Sequence, residues 1–467
     1  MKKFLAILLA LCMVFSLAAC SGGGTNESNP PSGGNTPSGG GNQSQNPSGG
    51  GEDNPGGSGD VAKEITLWTY PIGNWGQESV VNELTAAFEA ATGIKVNVEY
   101  LDYTNGDDSV NSAIVGGNTP DLIMEGPERL VANWGVNGHL VDLSDMLDDT
   151  DRAEINAVNT GVLAACTAPD GSVYEYPLVM TAHCMAINVK AFEEAGALQY
   201  VDLDSHTWTT ENFFKAVQAL YDKYGSTVGA VFCNGQGGDQ GTRALVNNLY
   251  GGTFTNAEHT AYTWDSTENV KALQALYDQD GIAYDASIVG GDEIALFYQG
   301  VLKMAFCWNI AQQLNPNQQG GDPEKTRTGD DIAFMSFPSE NGESKLQGGI
   351  WGFGIFNNGD ESRIAAAKQF IKYMCDSEHT VDAVKAANYF AVRSAAEGTD
   401  LSTIWADNDI MNEYTKLMPY LGDYYQVTTG WAEARTQWWN MRQTVGEGAD
   451  IATAVAEYAA NANAAAG

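Results

Sequence analysis

Between residues 65 and 124 the hydrophobic period of the chain switches back and forth between two and about 3.6 residues, which restricts the fold more than any other feature. Ile65-Thr66-Leu67-Trp68-Thr69-Tyr70 is β-branched and aromatic and reads as a strand. Val80, Leu84, Phe88 and Ala91 then recur at helical spacing up to Gly93, a residue suited to closing a helix. Lys95–Tyr100 alternates as a second strand, and a helix is expected around Val110–Val115. After Gly116-Gly117-Asn118-Thr119-Pro120 comes Asp121-Leu122-Ile123-Met124, a short strand with the look of a buried one. Strands that alternate with helices in this way pair parallel, through right-handed crossovers.

The alternation continues. Tyr174–Pro177 and Ala182–Asn188 read as strands. Thr209-Thr210-Glu211 opens a helix that places Phe213, Val217, Leu220 and Tyr221 on one face and stops at Gly225. Further helical faces are Val270, Leu273 and Tyr277, and Ile364, Ala367, Ile371 and Met374. With 467 residues, 43% of them apolar, the chain has material for more than one packed core.

The first sixty residues have a different chemistry. Met1-Lys2-Lys3, an apolar run from Phe4 to Phe15 and then Leu17-Ala18-Ala19-Cys20 have the order of a secretory signal. Leu-Ala-Ala-Cys resembles the bacterial lipobox, which implies a signal peptide of residues 1–19 and a lipid on Cys20. Residues 21–60 hold no Ala, Val, Ile, Leu, Met, Phe, Trp, Tyr or Cys, and Gly, Ser, Asn and Pro fill 32 of the 40 positions. Such a segment cannot bury a core, so residues 20–61 are expected to be a lipidated, flexible linker spanning about 35 Å. A formal charge of −36 excludes nucleic acid as a partner and disfavours docking on an anionic membrane face.

Catalytic and metal-binding patterns are missing. No stretch matches the phosphate-binding Gly-x-x-x-x-Gly-Lys-Ser/Thr loop, the zinc-binding His-Glu-x-x-His, or Gly-x-Ser-x-Gly. The glycine cluster at Gly235–Gly241 has Gln240 where a dinucleotide loop needs Gly. Asp278-Gln279-Asp280-Gly281 begins like a calcium loop and lacks the closing Glu. The five histidines lie 23 or more positions apart, and Cys166, Cys184, Cys233, Cys307 and Cys375 form no Cys-x-x-Cys pair. No catalytic residue, metal or cofactor is assigned.

Eight short stretches, in order over residues 62–460, resemble extracellular solute-binding proteins of ABC importers, in the sugar-binding branch that includes maltodextrin-binding proteins. They are Leu84–Val96, Gly117–Ile123, Leu140–Leu143, Asp170–Leu178, Ala186–Phe192, Thr207–Phe213, Phe297–Met304 and Ala365–Ile371. The resemblance implies an α/β fold of two lobes, like that of periplasmic binding proteins, with the ligand in the cleft between them. It places lobe one at 62–178 plus 325–375 and lobe two at 179–324 plus 376–467. Strand ends agree with it, because ligands of open α/β sheets sit beyond the carboxyl ends of the strands. The implied function is capture of an oligosaccharide by lobe closure and delivery to the transmembrane permease subunits. The protein is then a monomeric, non-enzymatic lipoprotein on the extracellular face of the cell membrane. A same-fold receptor for a non-sugar solute and a cell-surface glycosidase are the competing classes.

Sugars bind through ring platforms on their C–H faces and through carboxylates, amides and Arg on their hydroxyls. Tyr70, Asn74 and Trp75 follow the first strand, and Glu125, Glu128 and Arg129 follow the third. Maltodextrin binders carry an aromatic residue where this chain has Glu125, while Glu128 and Arg129 keep the family's acid–base pair. Thr181 and His183 stand at one expected lobe crossing and Trp351 at another; Trp308-Asn309 and Trp431 match stacking positions of the family. On this reading Trp308→Ala costs about 1–3 kcal/mol of sugar affinity while the fold persists.

Overall fold

The computed structural model describes residues 61–467 apart from 104, 235–238 and 315–321. The signal peptide, Cys20 and the linker lie outside the described residues. Strands β1 (Glu64–Thr69), β2 (Lys95–Tyr100) and β3 (Leu122–Glu125) form as the sequence implies. They are joined by the helices Glu78–Thr92 and Gly106–Gly116. The first of these buries Val81, Leu84, Thr85 and Phe88 and closes on Gly93 at φ 72°, where an L side chain would be strained. β1 pairs parallel with both β2 and β3, so the carboxyl ends of all three strands open on one edge.

β4 (Tyr176–Ala182), β10 (Gly348–Ile355) and β11 (Phe390–Ala391) join this first sheet, each antiparallel to its immediate neighbours. Its six strands stand in the order β11-β4-β10-β3-β1-β2. A second sheet has the order β8-β5-β9, from β5 (Cys184–Asn188), β8 (Met304–Trp308) and β9 (Ile332–Met335). β6 (Gly229–Phe232) and β7 (Ile282–Asp285) form a parallel pair. The backbone N–H groups of Lys303 and Met304 donate to Val228, which joins that pair to the rim of β8.

The chain changes sheets at His183, between β4 and β5, and again between β9 and β10. The two crossings touch: the His183 N–H donates to the Gln347 carbonyl at 2.7 Å. Residues 417–425 run beside them, with Leu346 N–H bonded to Tyr420 and Gly422 N–H to Leu346, each at 2.8 Å. Sheet membership departs from the boundaries expected at 325 and 375. β9 still pairs with β5, and Phe390–Ala391 still pairs with β4. Helical spacing locates helices well, but it carries no record of which sheet a short strand joins.

Candidate functional site

β3 ends on Glu125, which is 1% exposed. Gly126 follows, where a Cβ would stand 2.8 Å from Glu128 Oε2 and 3.0 Å from the Ile350 carbonyl oxygen, so a larger residue would have to displace the Glu128 carboxylate. Pro127 then starts a short helical turn that swings Arg129 back over the strand end. Its Nη1 donates to Glu125 Oε1 and its Nε to Asp107 Oδ1, both at 2.7 Å, with Glu128 Oε1 at 3.8 Å. Tyr70 and Tyr103 stack with ring centroids 5.1 Å apart, and the Arg129 guanidinium lies 5.3 and 5.5 Å from those rings. The Tyr70 hydroxyl donates to Asp107, while Tyr103 as a residue stays 53% exposed.

Beside this cluster Trp351 stacks on Tyr389 at 5.1 Å with an interplanar angle of 12°. The indole lies across Gly349, where a Cβ would come within 1.9 Å of it. Gly349 pairs with Thr181, whose buried hydroxyl has no hydrogen-bond partner, and neither has Nδ1 of His183. A second cluster sits on the other sheet. Arg243 and Asp239, both 0% exposed, pair on the helix Asp239–Tyr250, and Arg435 joins Asp239 at 2.9 Å. The Arg243 guanidinium lies 4.9 Å from the centroid of Trp431.

Burial sets the charge states. Glu125 is pushed up to about 8 by burial, against the pull of Arg129. Glu175, buried with neither carboxylate oxygen hydrogen-bonded, is raised well above the usual carboxylate range. His183 is lowered to about 4, by burial first and then by Arg243, and stands neutral near pH 7. The folded protein holds the Glu125 proton more tightly than the unfolded chain does. Stability from this group is therefore complete below about 4.5 and is lost as pH rises towards about 8. Glu125→Gln is expected to flatten that alkaline decline, which urea midpoints of both proteins between about pH 5 and 8 will measure. Parallel pH curves would refute the assignment.

Of the residues expected at the site, Tyr70, Glu125, Glu128 and Arg129 come together, with Trp351 and Thr181 on the adjoining strands and His183 at the crossing after β4. Trp431 belongs to the Arg243 cluster. Two of the expected residues lie inside packed cores instead. Trp75 is 0% exposed and donates its Nε1–H to the Ala383 carbonyl at 3.2 Å, inside the first core. Trp308 is also 0% exposed, packs on Phe297 and Tyr298, and donates to the Tyr414 hydroxyl at 2.7 Å. Asn309 caps the short helix Ile310–Gln313, and Asn74 accepts from Gln77. Tyr103, Asp107, Tyr389, Arg243 and the Glu128 partner Tyr424 were not among the assigned residues. Tyr103 could have been found, because it lies just past the carboxyl end of β2.

Two sheets joined by touching crossings, with one ring-and-carboxylate cluster at the strand ends of the first and another on helices beside the second, define a two-lobed binding protein. Residues 73–380 match the family model of the bacterial extracellular solute-binding proteins, and the chain belongs to that family. Over 143 residues it is 31% identical to the maltooligosaccharide ABC transporter solute-binding lipoprotein of Streptococcus pneumoniae, a match covering 30% of each chain. The fold resembles the GacH receptor of Streptomyces glaucescens, solved unliganded and with acarbose (TM-score 0.64, 18% identity, 87% of this chain and 98% of that one). It also resembles the cyclic α-maltosyl-1,6-maltose binding protein of Arthrobacter globiformis (TM-score 0.67, 18% identity, 87% and 99%).

Proposed function

We propose that this protein is the substrate-binding component of an ABC importer and captures an oligosaccharide between its two sheets without altering it. The observation that carries the reading is the grouping at one sheet edge of open ring faces, Tyr103 and Trp351, with the Arg129 guanidinium and the Glu125 and Glu128 carboxyl groups. Rings take the C–H faces of a pyranose, and the charged groups take its hydroxyls. In this proposal one lobe comprises residues 62–182 and 348–408, the other 184–346 and 409–467. Closure brings the sugar against both, so the ligand shifts the population to the closed form. The closed complex, a monomer tethered through lipid on Cys20 at the extracellular face, then docks on the permease subunits. Among the described residues no helix is long and apolar enough to cross a membrane.

Calorimetry against a series of maltooligosaccharides, with product analysis of the same mixtures, tests the reading. Saturable binding with the sugar recovered intact is the expected result. Turnover would favour a glycosidase, and binding confined to non-sugar solutes would favour the same-fold alternative.

A further inference from the structure

Tyr424 and Tyr425 are neighbours in sequence, yet their hydroxyls serve opposite halves of the molecule. Tyr424, 7% exposed, donates to Glu128 Oε2 at 2.8 Å. Glu128 follows β3 of the first sheet. Tyr425, 3% exposed, accepts from Arg243 Nε at 2.9 Å, and its ring stacks on Phe254 at 4.9 Å. Arg243 lies on the helix Asp239–Tyr250, on the side of the second sheet, and its guanidinium backs Trp431.

The backbone around the two tyrosines is held to the crossings. Gly422 N–H donates to Leu346, Gln347 Nε2 donates to the Asp423 carbonyl at 3.3 Å, and Asn159 Nδ2 donates to the Leu421 carbonyl at 3.0 Å. A cavity of about 10 Å³ lies against the same segment, lined by Asn159, Leu346, Gly348, Leu421 and Tyr424 among others. That volume is about the least that holds a single water.

We infer that Tyr424 and Tyr425 are positioning residues that register the two halves of the binding site against each other. Consecutive Cα atoms are about 3.8 Å apart. The Glu128 carboxylate therefore cannot shift far relative to the Arg243 guanidinium unless one of the two hydroxyl bonds breaks. Tyr424 acts through Glu128, and Tyr425 acts through Arg243 and the Trp431 ring above it. The inference rests on the sugar-capture reading for its ligand and stands apart from it in its geometry.

Tyr424→Phe and Tyr425→Phe keep the rings and remove only the hydroxyls. Calorimetry with maltotetraose is expected to show Tyr424→Phe weakening binding about 5–10-fold, somewhat less than the full value of one hydrogen bond to a charged group because Tyr424 acts through Glu128. In a cycle with Glu128→Gln, the double variant is expected to bind within about twofold of Glu128→Gln alone, because both changes break the same link. A role confined to stability would lower the melting temperature and give multiplicative losses instead. In the unliganded protein, hydrogen exchange across Leu346–Gly348 and Gly422 is expected to run about tenfold faster when both hydroxyls are removed. Multiplicative losses in the cycle, or unchanged exchange, would overturn the inference. If the wild-type protein binds no maltotetraose, the sugar reading fails, and the exchange experiment alone decides whether the tyrosines couple the halves.

Discussion

Trp308→Ala is expected to destabilise the protein by about 3–5 kcal/mol, the range for emptying a fully packed aromatic site. The indole is 0% exposed, lies against Phe297 and Tyr298 at 5.4 Å each, and is the donor to the Tyr414 oxygen. Its removal leaves a cavity between β8 and its neighbours, and the Tyr414 oxygen, whose own proton goes to Gln313, loses its donor. Affinity of the remaining folded protein for a maltooligosaccharide should stay within about threefold of wild type, because the ring has no surface to offer a ligand. Urea unfolding and calorimetry on one preparation separate the two effects. A loss below about 1 kcal/mol in stability together with a large loss of affinity would restore the stacking role that its sequence position implies.

The second large effect belongs to Trp351. Tyr389 covers one face of this indole in a near-parallel stack, and the residue remains partly exposed beside the Arg129 cluster. Trp351→Ala is expected to weaken sugar binding by about 2–3 kcal/mol, or about 30- to 150-fold. Trp351→Phe should recover part of the loss, since a smaller ring still offers a flat apolar face. The stability cost should be smaller than for Trp308, because the side chain is not enclosed. A dissociation constant within about threefold of wild type would remove Trp351 from the site.

The contrast between these two tryptophans marks how much of the site was legible in advance. Trp308 matches a stacking position of the family, and Trp351 was expected at a lobe crossing near the cleft. Trp308 is the last residue of β8, between the helix Gly290–Tyr298 and Tyr414, and turns into the core. Trp351 sits at a break in register between β10 and β4, where Gly349 leaves room for its ring. A period-two pattern says which residues share a face. It does not say whether that face meets a helix or an open edge.

The Arg243–Asp239 pair was hidden for a related reason. A buried ion pair carries no hydrophobic periodicity, and its interior position depends on Tyr425, Arg435 and Trp431, which lie far along the chain. The acid–base run Glu125–Arg129 was easier, because its residues lie on one turn after a strand whose direction follows from the parallel pairing.

Local periodicity, helix stops at Gly93 and Gly225, and the ordered family motifs were enough to determine an α/β chain with parallel β1, β2 and β3, since those signals arise from residues near one another in sequence. Only the tertiary structure decided where the chain changes sheets, which rings are enclosed and which carboxyls lose their water. Each of those outcomes depends on contacts between segments up to some 300 residues apart, such as Tyr424 with Glu128, and the free energy of burying a group is a property of everything packed around it.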